Sequence, residues 1–386
     1  MLMMKRLLSL LLAATMLACA LPAMAEEDAD AAFDALLKKY KAVGAALVVC
    51  RGDDVVYEHY YGYAVKKTKE PVTADTWFRV ASVSKMISAI AVMQQVEQGK
   101  LALEDDLSDI YGFSFRNARY PDTPITLRMV MSHTSSLSQK NDYNKTSSSL
   151  SAGFGPGKRN SLNYERFEPG TKYQYSNMNG GLLGSLVEQT TGMNFNDYMR
   201  EYVFDPLGVT AAYSPTLLPH TQTTVTQYGK NGSGVYKSRE YVLQENWDST
   251  VNPDMHFKKS AFALWTNAGG LARLGMMLCG GGTLQGVTVL SDDSVAQMLE
   301  DQHGKPGILA QPAYGLDVER MATLLEDRLV YGHEGLSSGI LANLYFEPQS
   351  GLTFAFLCNG CDNTMQNGIA KLSRKLFAVA WEYFGD

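Results

Sequence analysis

The chain has 386 residues, 45% of them hydrophobic, and a formal net charge of −6 at neutral pH. This length and hydrophobic content indicate a folded protein with a large core, built as one big domain or as two lobes. The acidic balance and the scattered charges make the chain a poor candidate for binding nucleic acid or an anionic membrane.

The signal peptide predicted at residues 1–25 has the features of a removable export signal. Two basic residues precede the apolar run 7–18, and Ala-Met-Ala at 23–25 forms a cleavage site. The run is too short to span a bilayer. We therefore expect a secreted or periplasmic protein with no membrane span in its mature chain, residues 26–386. The alternative is a lipoprotein anchored at Cys19, because this cysteine and the two residues before it loosely resemble a lipoprotein box.

The mature chain is predicted to open with an amphipathic helix before Gly44 and then a β-hairpin. Residues 45–50 and 55–63 are rich in strand-forming residues, and they flank Arg-Gly-Asp-Asp at 51–54, which favours a tight turn. A second helix follows, and Gly99 is expected to end it. One side of this helix is apolar: Met86, Ile90, Met93 and Val96.

The middle of the chain, to about residue 250, predicts short helices and long polar loops. Helices are expected at 127–131, 181–187 and 195–202. Residues 138–163 are dominated by Ser, Asn, Gly and Lys, and a loop of that length in a compact domain is usually functional or mobile. We expect this loop to form a wall of a binding cleft.

Strands return in the last third of the chain. Residues 340–346 and 352–357 predict two strands with a turn between them, and an amphipathic helix closes the sequence. One face of this helix carries Ile369, Leu372, Leu376, Val379 and Tyr383.

Strands at both ends of the chain and helices between them predict an α/β fold. We expect an antiparallel sheet that is flanked by helices and built from both ends, with a mostly helical inserted lobe. The α/β lobe is placed at about residues 26–85 and 262–386, and the helical lobe at about 86–261. A cleft is expected between the two lobes.

The cysteines of the mature chain are too few for a disulfide-rich scaffold. Cys358 and Cys361 have the Cys-x-x-Cys spacing of a thiol-redox pair. Because the βαβ frame of a redox fold does not precede them, we interpret them as two incidental residues at a strand end. Whether they form a disulfide stays open.

Residues 335–339, Gly-Leu-Ser-Ser-Gly, fit the G-x-S-x-G pattern that holds the nucleophilic serine of many hydrolases. The pattern requires a strand, a tight turn that exposes the serine, and then a helix. The residues that follow instead predict a second strand. Ser337 is therefore not expected to be the nucleophile.

Ser82 and Lys85 lie at the start of the helix that ends at Gly99, and their spacing places both side chains on one helix face. A lysine whose pKa is lowered in a cleft can take the proton of a serine hydroxyl. The N–H groups of a helix N-terminus also favour developing negative charge. Taken alone, Ser-x-x-Lys is a weak signal, because a serine that only caps a helix gives the same pattern.

Tyr175 and Asn177 form a second element, just before a predicted helix. A phenol close to Lys85 would move the serine proton, and a carboxamide would hold a substrate carbonyl. Taken alone, this pair is also explained as a turn tyrosine and a capping asparagine. The third element is His-Glu-Gly at 333–335, on a predicted strand.

In this order, Ser-x-x-Lys, Tyr-x-Asn and His-x-Gly resemble the three motifs of the penicillin-recognising serine hydrolases. The resemblance is to the branch that holds class C β-lactamases, D-alanyl-D-alanine carboxypeptidases and related esterases and D-aminopeptidases. It extends from about residue 30 to 384, because the connecting segments are also similar: 125–137, 167–171, 268–272 and 314–316.

The resemblance implies a β-lactamase/transpeptidase-like fold and an acyl-enzyme mechanism. Ser82 would be the acylated nucleophile, Lys85 its activating partner and Tyr175 the proton shuttle. The backbone N–H groups of Ser82 and Leu336 would form the oxyanion hole.

The resemblance also implies that Asn177, His333 and Gly335 bind substrate. Class C β-lactamases have Lys-Thr-Gly at the third motif, whereas His333 offers a cation only when its imidazole is protonated. Glu334 would repel a carboxylate substrate, unless it points away from the cleft as alternate strand residues do. His133 is expected to pack structurally in its turn.

We therefore expect a secreted serine hydrolase that acts on an amide or ester, with D-amino-acid peptides of the D-alanyl-D-alanine carboxypeptidase type, such as peptidoglycan stem peptides, as preferred substrates. The alternatives are a small-ester hydrolase, then a β-lactamase. A retired catalytic domain that only binds wall peptides or β-lactams is a further alternative, against which the intact motifs argue. No cluster of residues has metal-ligand spacing, so neither a metal nor a cofactor is expected.

Overall fold

The computed structural model describes seven segments of the chain: 27–139, 149–157, 162–219, 223–244, 249–303, 313–337 and 339–385. The predicted export signal and the alternative anchor at Cys19 lie outside these segments, as does part of the polar loop 138–163. Within the segments, none of the helices combines the length and the apolar character needed to cross a lipid bilayer.

An eight-stranded antiparallel sheet forms the centre of the fold. Its strand order is β12-β13-β14-β15-β16-β1-β2-β3, so the first strand of the chain pairs with the last long strand. The strands of the described segments are β1 Gly44–Arg51, β2 Asp54–Val65, β3 Glu70–Pro71, β4 Thr76–Arg79, β5 Ala211–Ala212, β6 Thr223–Thr224, β7 Gln227–Tyr228, β8 Val235–Lys237, β9 Trp265–Thr266, β10 Thr283–Leu284, β11 Val287–Thr288, β12 Ala313–Tyr314, β13 Glu319–Met321, β14 Val330–Ser337, β15 Ile340–Glu347, β16 Leu352–Cys358, β17 Met365–Gln366 and β18 Ile369–Ala370.

Helices cover both faces of this sheet, and short helices connect them. The helix α1 covers residues 27–39. The others are α2 Val83–Glu97, α3 Leu107–Tyr111, α4 Leu127–Met131, α5 Leu150–Phe154, α6 Asn177–Thr191, α7 Phe195–Met199, α8 Arg239–Val242, α9 Ala268–Cys279, α10 Asp292–Leu299 and α11 Lys371–Phe384, with a π-helical turn at Arg200–Phe204 and 3₁₀ turns at Pro215–Leu217, Lys230–Gly232 and Lys259–Ala261.

The two faces of the sheet belong to two different hydrophobic cores. On one side, which we call the α2 face, Val48 and Leu357 join the core that contains α2 and α9. On the other side, the α11 face, Leu47 and Phe356 join the core that contains α1 and α11. Because successive strand residues point to opposite faces, neighbouring side chains in one strand enter different environments. β1, β15 and β16 are accordingly buried along nearly their whole length.

The fold confirms the predicted antiparallel sheet flanked by helices. The hairpin at residues 51–54 and the helices at 127–131 and 181–187 form as predicted, and α6 is longer than expected. The closing helix begins at Lys371 and excludes Ile369, because that residue pairs with Gln366 in a small hairpin. The polar loop contains the short helix α5. The division of the chain into two lobes stays a prediction.

The four cysteines in the described part of the chain are all free thiols. Cys50, Cys358 and Cys361 are buried, and Cys279 is half-buried. Burial raises the pKa of the Cys50 thiol to about 12, the nearby Glu58 carboxylate adding to this effect. The Cys50 thiol is therefore protonated at neutral pH and a weak nucleophile.

Candidate active site

Ser82 lies in a tight turn immediately before α2. Ala81 has a left-handed backbone with φ +47°. The Ser84 hydroxyl stabilises the turn, because it donates to the Ala81 carbonyl at 2.6 Å and accepts from the Leu264 N–H at 3.1 Å. Ser82 occupies the N-cap position of α2 but makes no side-chain capping bond. The hydroxyl of Ser82 is therefore not used as a plain helix cap.

Lys85 is fully buried one helical turn later, with its amine next to Ser82. Its Nζ lies 3.1 Å from the Ser82 hydroxyl oxygen, 2.8 Å from Asn177 Oδ1 and 2.9 Å from the Ala261 carbonyl. Burial lowers the pKa of Lys85 to about 7, against the opposing effect of the Asp317 and Glu319 carboxyls. The neutral amine is therefore well populated at physiological pH, and it can accept the Ser82 proton while two N–H bonds hold it in place.

Gly180 in α6 provides the space that the Lys85 side chain occupies. A Cβ at this position would lie 2.5 Å from Lys85 Cγ and 2.9 Å from its Cε. At the next residue, Gly181, a Cβ would lie 2.2 Å from the Phe257 carbonyl oxygen. We did not name Gly180 from the sequence, although a glycine pair inside a predicted helix is a signal of close packing.

Tyr175 contacts both Ser82 and Lys85. Burial raises the pKa of its hydroxyl well above 10, although the neighbouring Ser82 hydroxyl acts in the opposite direction. The Lys85 amine lies 5.0 Å from the centroid of the phenol ring. Tyr175 therefore stays protonated at neutral pH, so that Lys85 is the available base and Tyr175 can only pass a proton on.

Asn177 is the first residue of α6, and it is oriented by two hydrogen bonds. Its Oδ1 accepts from Lys85, which leaves the Nδ2 amino group to face a substrate. Its backbone N–H donates to the Gln139 side chain at 2.8 Å. Gln139 lies in the predicted cleft-wall loop, but nothing in the sequence pattern singled it out.

Strand β14 passes close to the turn that holds Ser82. A Cβ on Gly335 would lie 2.1 Å from the Val80 carbonyl oxygen, so only glycine allows this approach. The Glu334 N–H donates to Glu319 at 3.4 Å, on the side away from β15. In a strand the N–H groups of every second residue point to the same side. The Leu336 N–H therefore also points away from β15, at a position beyond the end of β13. This direction fits the expected role of Leu336 as an oxyanion donor.

His333 faces the α2 side of the sheet, but it is not placed to act as a cation. It is 1% exposed. Its Nδ1 lies 2.7 Å from the Glu334 carbonyl and its Nε2 lies 3.2 Å from the Tyr314 hydroxyl. Burial lowers the pKa of His333 to about 3, and the charge of Lys85 contributes to this effect. The hypothesis that an imidazolium here binds a substrate carboxylate is therefore not supported, because the ring is neutral and both nitrogens are engaged.

Glu334 points to the α11 face, away from the cleft. Its carboxylate accepts from the Ala370 N–H at 3.0 Å, from Asn343 Nδ2 at 3.1 Å and from the Tyr345 hydroxyl at 3.3 Å. Ala370 is the N-cap residue of α11 and has no side chain that could cap it. Glu334 therefore replaces the missing cap and does not repel substrate, which confirms the alternative inferred from strand alternation.

Ser337 is the last residue of β14, and it pairs with Ile340 at the start of β15. The G-x-S-x-G pattern thus lies in a β-hairpin and not between a strand and a helix, as expected.

Two further acids, Asp317 and Glu319, lie beside the site and were not singled out from the sequence. Burial raises the pKa of Glu319 to about 8, with Glu334 adding to the effect.

Comparison with known proteins identifies one family. The family model described as Beta-lactamase matches residues 29–376. The octameric penicillin-binding protein homologue from Pyrococcus abyssi has a similar structure, with a TM-score of 0.72 and 17% sequence identity over 92% of this chain and 77% of that chain. This similarity confirms the β-lactamase/transpeptidase-like fold.

Three curated relatives differ in how much of their length is matched. Penicillin-binding protein 4 of Amycolatopsis lactamdurans is 28% identical over 85% of this chain and 84% of its own length. Esterase EstB of Burkholderia gladioli is 31% identical over 47% of this chain and 49% of its own length. D-aminopeptidase of Brucella anthropi is 31% identical over 45% of this chain and 33% of its own length. This chain thus matches about half of the esterase and a third of the aminopeptidase.

Proposed function

Because this chain belongs to the beta-lactamase family of serine hydrolases, we propose that it hydrolyses an amide or ester through an acyl-enzyme on Ser82. The observation that carries the proposal is the 3.1 Å contact between the Lys85 amine and the Ser82 hydroxyl. A lysine that is fully buried, with its pKa lowered to about 7, is placed there as a base.

Acylation begins when the Lys85 amine takes the Ser82 proton and the serine oxygen bonds to the substrate carbonyl carbon. The N–H groups of Ser82 and Leu336 stabilise the negative charge that develops on the carbonyl oxygen. Tyr175 then passes a proton to the leaving group as the scissile bond breaks, and it regains a proton from the Lys85 ammonium, which restores the neutral amine. Water hydrolyses the resulting ester, which releases the acid and restores the Ser82 hydroxyl.

The preferred substrates in this proposal are D-amino-acid peptides, such as those of peptidoglycan stem peptides. The names of two relatives, Penicillin-binding protein 4 and D-aminopeptidase, support this class. A substrate of the carboxypeptidase type carries a terminal carboxylate, for which the neutral His333 supplies no charge. D-amino-acid amides and esters without that carboxylate need no such cation, so they are tested beside the peptides.

A small-ester hydrolase is the second candidate. The neutral, engaged His333 favours it, and one relative is named as an esterase. We place the protein outside the cytoplasm in either case, because of the export signal predicted at residues 1–25.

The test is intact-mass spectrometry of the wild-type protein after exposure to a fluorophosphonate and, separately, to a penicillin. We expect one fluorophosphonate adduct on Ser82, and a penicillin adduct that clears slowly. Hydrolysis of a D-alanyl-D-alanine peptide, its C-terminal amide and p-nitrophenyl acetate is measured in parallel, with Ser82→Ala as the control.

The outcomes separate the candidate functions. Fast cleavage of p-nitrophenyl acetate without any penicillin adduct would assign an esterase, and rapid penicillin hydrolysis would assign a β-lactamase. A stable penicillin adduct without turnover of any substrate would indicate a binding protein. A fluorophosphonate adduct elsewhere than Ser82 would contradict the proposal.

A further inference from the structure

Asp317 is a buried acid that the proposed reaction does not use. It is fully buried in the tight turn between β12 and β13, where the Gly315 N–H bonds to the Val318 carbonyl. Its backbone is left-handed, with φ +54°, a conformation that glycine adopts without steric cost. Its N–H bonds to the Met131 carbonyl at 2.7 Å, so the backbone is held in place whatever the side chain is.

The Asp317 carboxyl has no hydrogen-bond partner within the described segments of the chain, at either oxygen. A buried polar group without a partner destabilises a fold. Burial accordingly raises the pKa of Asp317 well above its usual range, although the nearby Lys85 charge counteracts this effect. The chain therefore keeps a buried acid without a hydrogen bond at this position. Glycine here would avoid both the cost of burying the carboxyl and the cost of the left-handed backbone.

The Asp317 carboxyl lies close to His133, which is also fully buried and has a left-handed backbone, with φ +57°. The Asn179 amide lies 2.9 Å from His133 Nδ1, and the Ser176 N–H donates to the same nitrogen at 3.4 Å. Because an imidazole nitrogen that accepts a hydrogen bond carries no hydrogen of its own, the hydrogen of the neutral ring is on Nε2. This Nε2 lies 3.6 Å from Asp317 Oδ1.

The other side of the His133 ring contacts the catalytic tyrosine. The ring centroids of His133 and Tyr175 are 4.5 Å apart. The Tyr175 hydroxyl in turn interacts with Ser82, and the Lys85 amine lies 5.0 Å from the centroid of the Tyr175 ring. A continuous path therefore leads from the unpaired acid to the nucleophile.

We propose that Asp317 and His133 are positioning residues of the acylation step. The carboxyl attracts the Nε2–H side of the imidazole electrostatically across 3.6 Å, which is longer than a hydrogen bond, and the imidazole packs against the Tyr175 ring. This inference rests on the proposed function of Ser82. It explains why the fold keeps a destabilising acid here, because strain and desolvation are retained where they serve a site.

Asp317 also affects the basicity of Lys85. Several other titratable groups act on this lysine or contact it: Glu319 from β13, His333 from β14, His133 after α4, and Tyr175 before α6. Among these, the carboxyls of Asp317 and Glu319 raise the pKa of Lys85. A carboxyl raises the pKa of Lys85 only while it is ionised. Removing the Asp317 acid should therefore lower that pKa further in the pH range where Asp317 has lost its proton.

The test measures the rate constant for Ser82 phosphonylation by a fluorophosphonate, which needs no knowledge of the substrate. In Asp317→Gly we expect this rate to fall by roughly 10-fold or more, because Tyr175 is less well positioned. We expect the Tm of this variant to equal or exceed that of the wild type, since glycine suits the backbone.

A conservative variant separates position from charge. Asp317→Asn keeps an acceptor for His133 Nε2–H and should retain most of the rate. When its labelling rate is plotted against pH, the rise on the acid side should move to lower pH, because a neutral amide no longer raises the pKa of Lys85. Glu188→Gln is the matched control: this buried acid in α6 accepts from the Phe195 and Asn252 N–H groups at 3.0 and 2.8 Å. It should lose Tm while keeping the labelling rate.

The labelling rate of folded Asp317→Gly decides the outcome. A rate within about twofold of the wild type would overturn the proposal, whatever the Tm does. An unshifted pH profile in Asp317→Asn would overturn the effect on Lys85. Ser82 that fails to label in the wild-type protein would instead reject the proposed function itself.

Discussion

Two buried acids on opposite faces of the central sheet have opposite surroundings. On the α11 face, Glu334 accepts hydrogen bonds from the Ala370 N–H, the Asn343 amide and the Tyr345 hydroxyl. On the α2 face, neither Asp317 oxygen has a hydrogen-bond partner in the part of the chain that the structure describes. The first acid completes a helix cap, and the second destabilises its surroundings.

This difference indicates what each face of the sheet does. A satisfied buried carboxylate stabilises the fold, and its loss leaves several donors unpaired. An unsatisfied one is expected where the protein needs a particular electrostatic environment or geometry. The α2 face also holds a buried lysine with a lowered pKa and a buried neutral histidine. The groups of the proposed catalytic site thus lie on the α2 face, whereas Glu334 on the α11 face stabilises the fold.

The contrast between the two faces is tested first by removing the proposed nucleophile on the α2 face, which should have the largest effect. Ser82→Ala should reduce kcat/KM by at least about 10³-fold, because the acyl-enzyme can no longer form. Ser337→Ala is the matched control, at the end of β14, and should keep most of the activity. The measurement is steady-state hydrolysis of the best substrate found in the panel above. Loss of activity in Ser337→Ala alone would reverse the assignment.

Lys85 and Tyr175 should behave as one unit on the same face. Both contact the Ser82 hydroxyl, so Lys85→Met and Tyr175→Phe should each reduce kcat by roughly 10²-fold or more. The double variant should be little worse than either single one, because each loss already interrupts the same proton transfer. A double-mutant cycle on kcat measures this. Losses that multiply would indicate separate roles.

On the α11 face, the same kind of substitution should affect stability and not chemistry. Glu334→Ala leaves the Ala370 N–H, Asn343 and Tyr345 without their acceptor, and should lower the free energy of unfolding by about 3 kcal/mol. Urea denaturation measures it, with Glu382→Ala, an exposed acid on α11, as the control. If the variant keeps full stability while its kcat falls, Glu334 belongs to the catalytic face after all.

Gly180→Ala tests how closely Lys85 must be held. The new Cβ would overlap the Lys85 side chain, and because the lysine is fully buried its amine must shift away from Ser82. We expect kcat to fall about 10-fold or more. The control is Gly269→Ala in α9, where the nearest atom to a new Cβ is 3.9 Å away. Equal activity of the two variants would show that the position of the lysine is not critical.

The last prediction concerns the pH dependence of the groups on the α2 face. The catalytic form of Lys85 is the neutral amine, so kcat/KM should rise about 10-fold per pH unit below its pKa and level off above about pH 7. Because the pKa of His333 is lowered to about 3, the kcat/KM of substrates that carry a carboxylate should not fall as the pH rises through 6.5. Measuring kcat/KM against pH for a charged and an uncharged substrate checks this. A selective loss for the charged one would restore the imidazolium hypothesis.

Local sequence predicted the parts of the site that lie close together along the chain. The spacing of Ser82 and Lys85 fixes them on one face of α2, since helix geometry alone brings such residues together. Strand alternation likewise placed His333 and Glu334 on opposite faces. The hairpin around Ser337 followed from strand-forming residues on both sides of a turn, which was enough to reject it as the nucleophile.

Only the tertiary structure decided the electrostatics. The pKa of Lys85 depends on burial and on Asp317 and Glu319, more than two hundred residues away in sequence. The same burial makes His333 neutral, although its position in the motif suggested a cation. Gly180 and the Asp317–His133 pair were found only once distant segments were packed together. The sequence therefore determined which reactive groups this protein has, while long-range packing determined their protonation. The reason is that the pKa of a group depends on its surroundings in space and not on its neighbours along the chain.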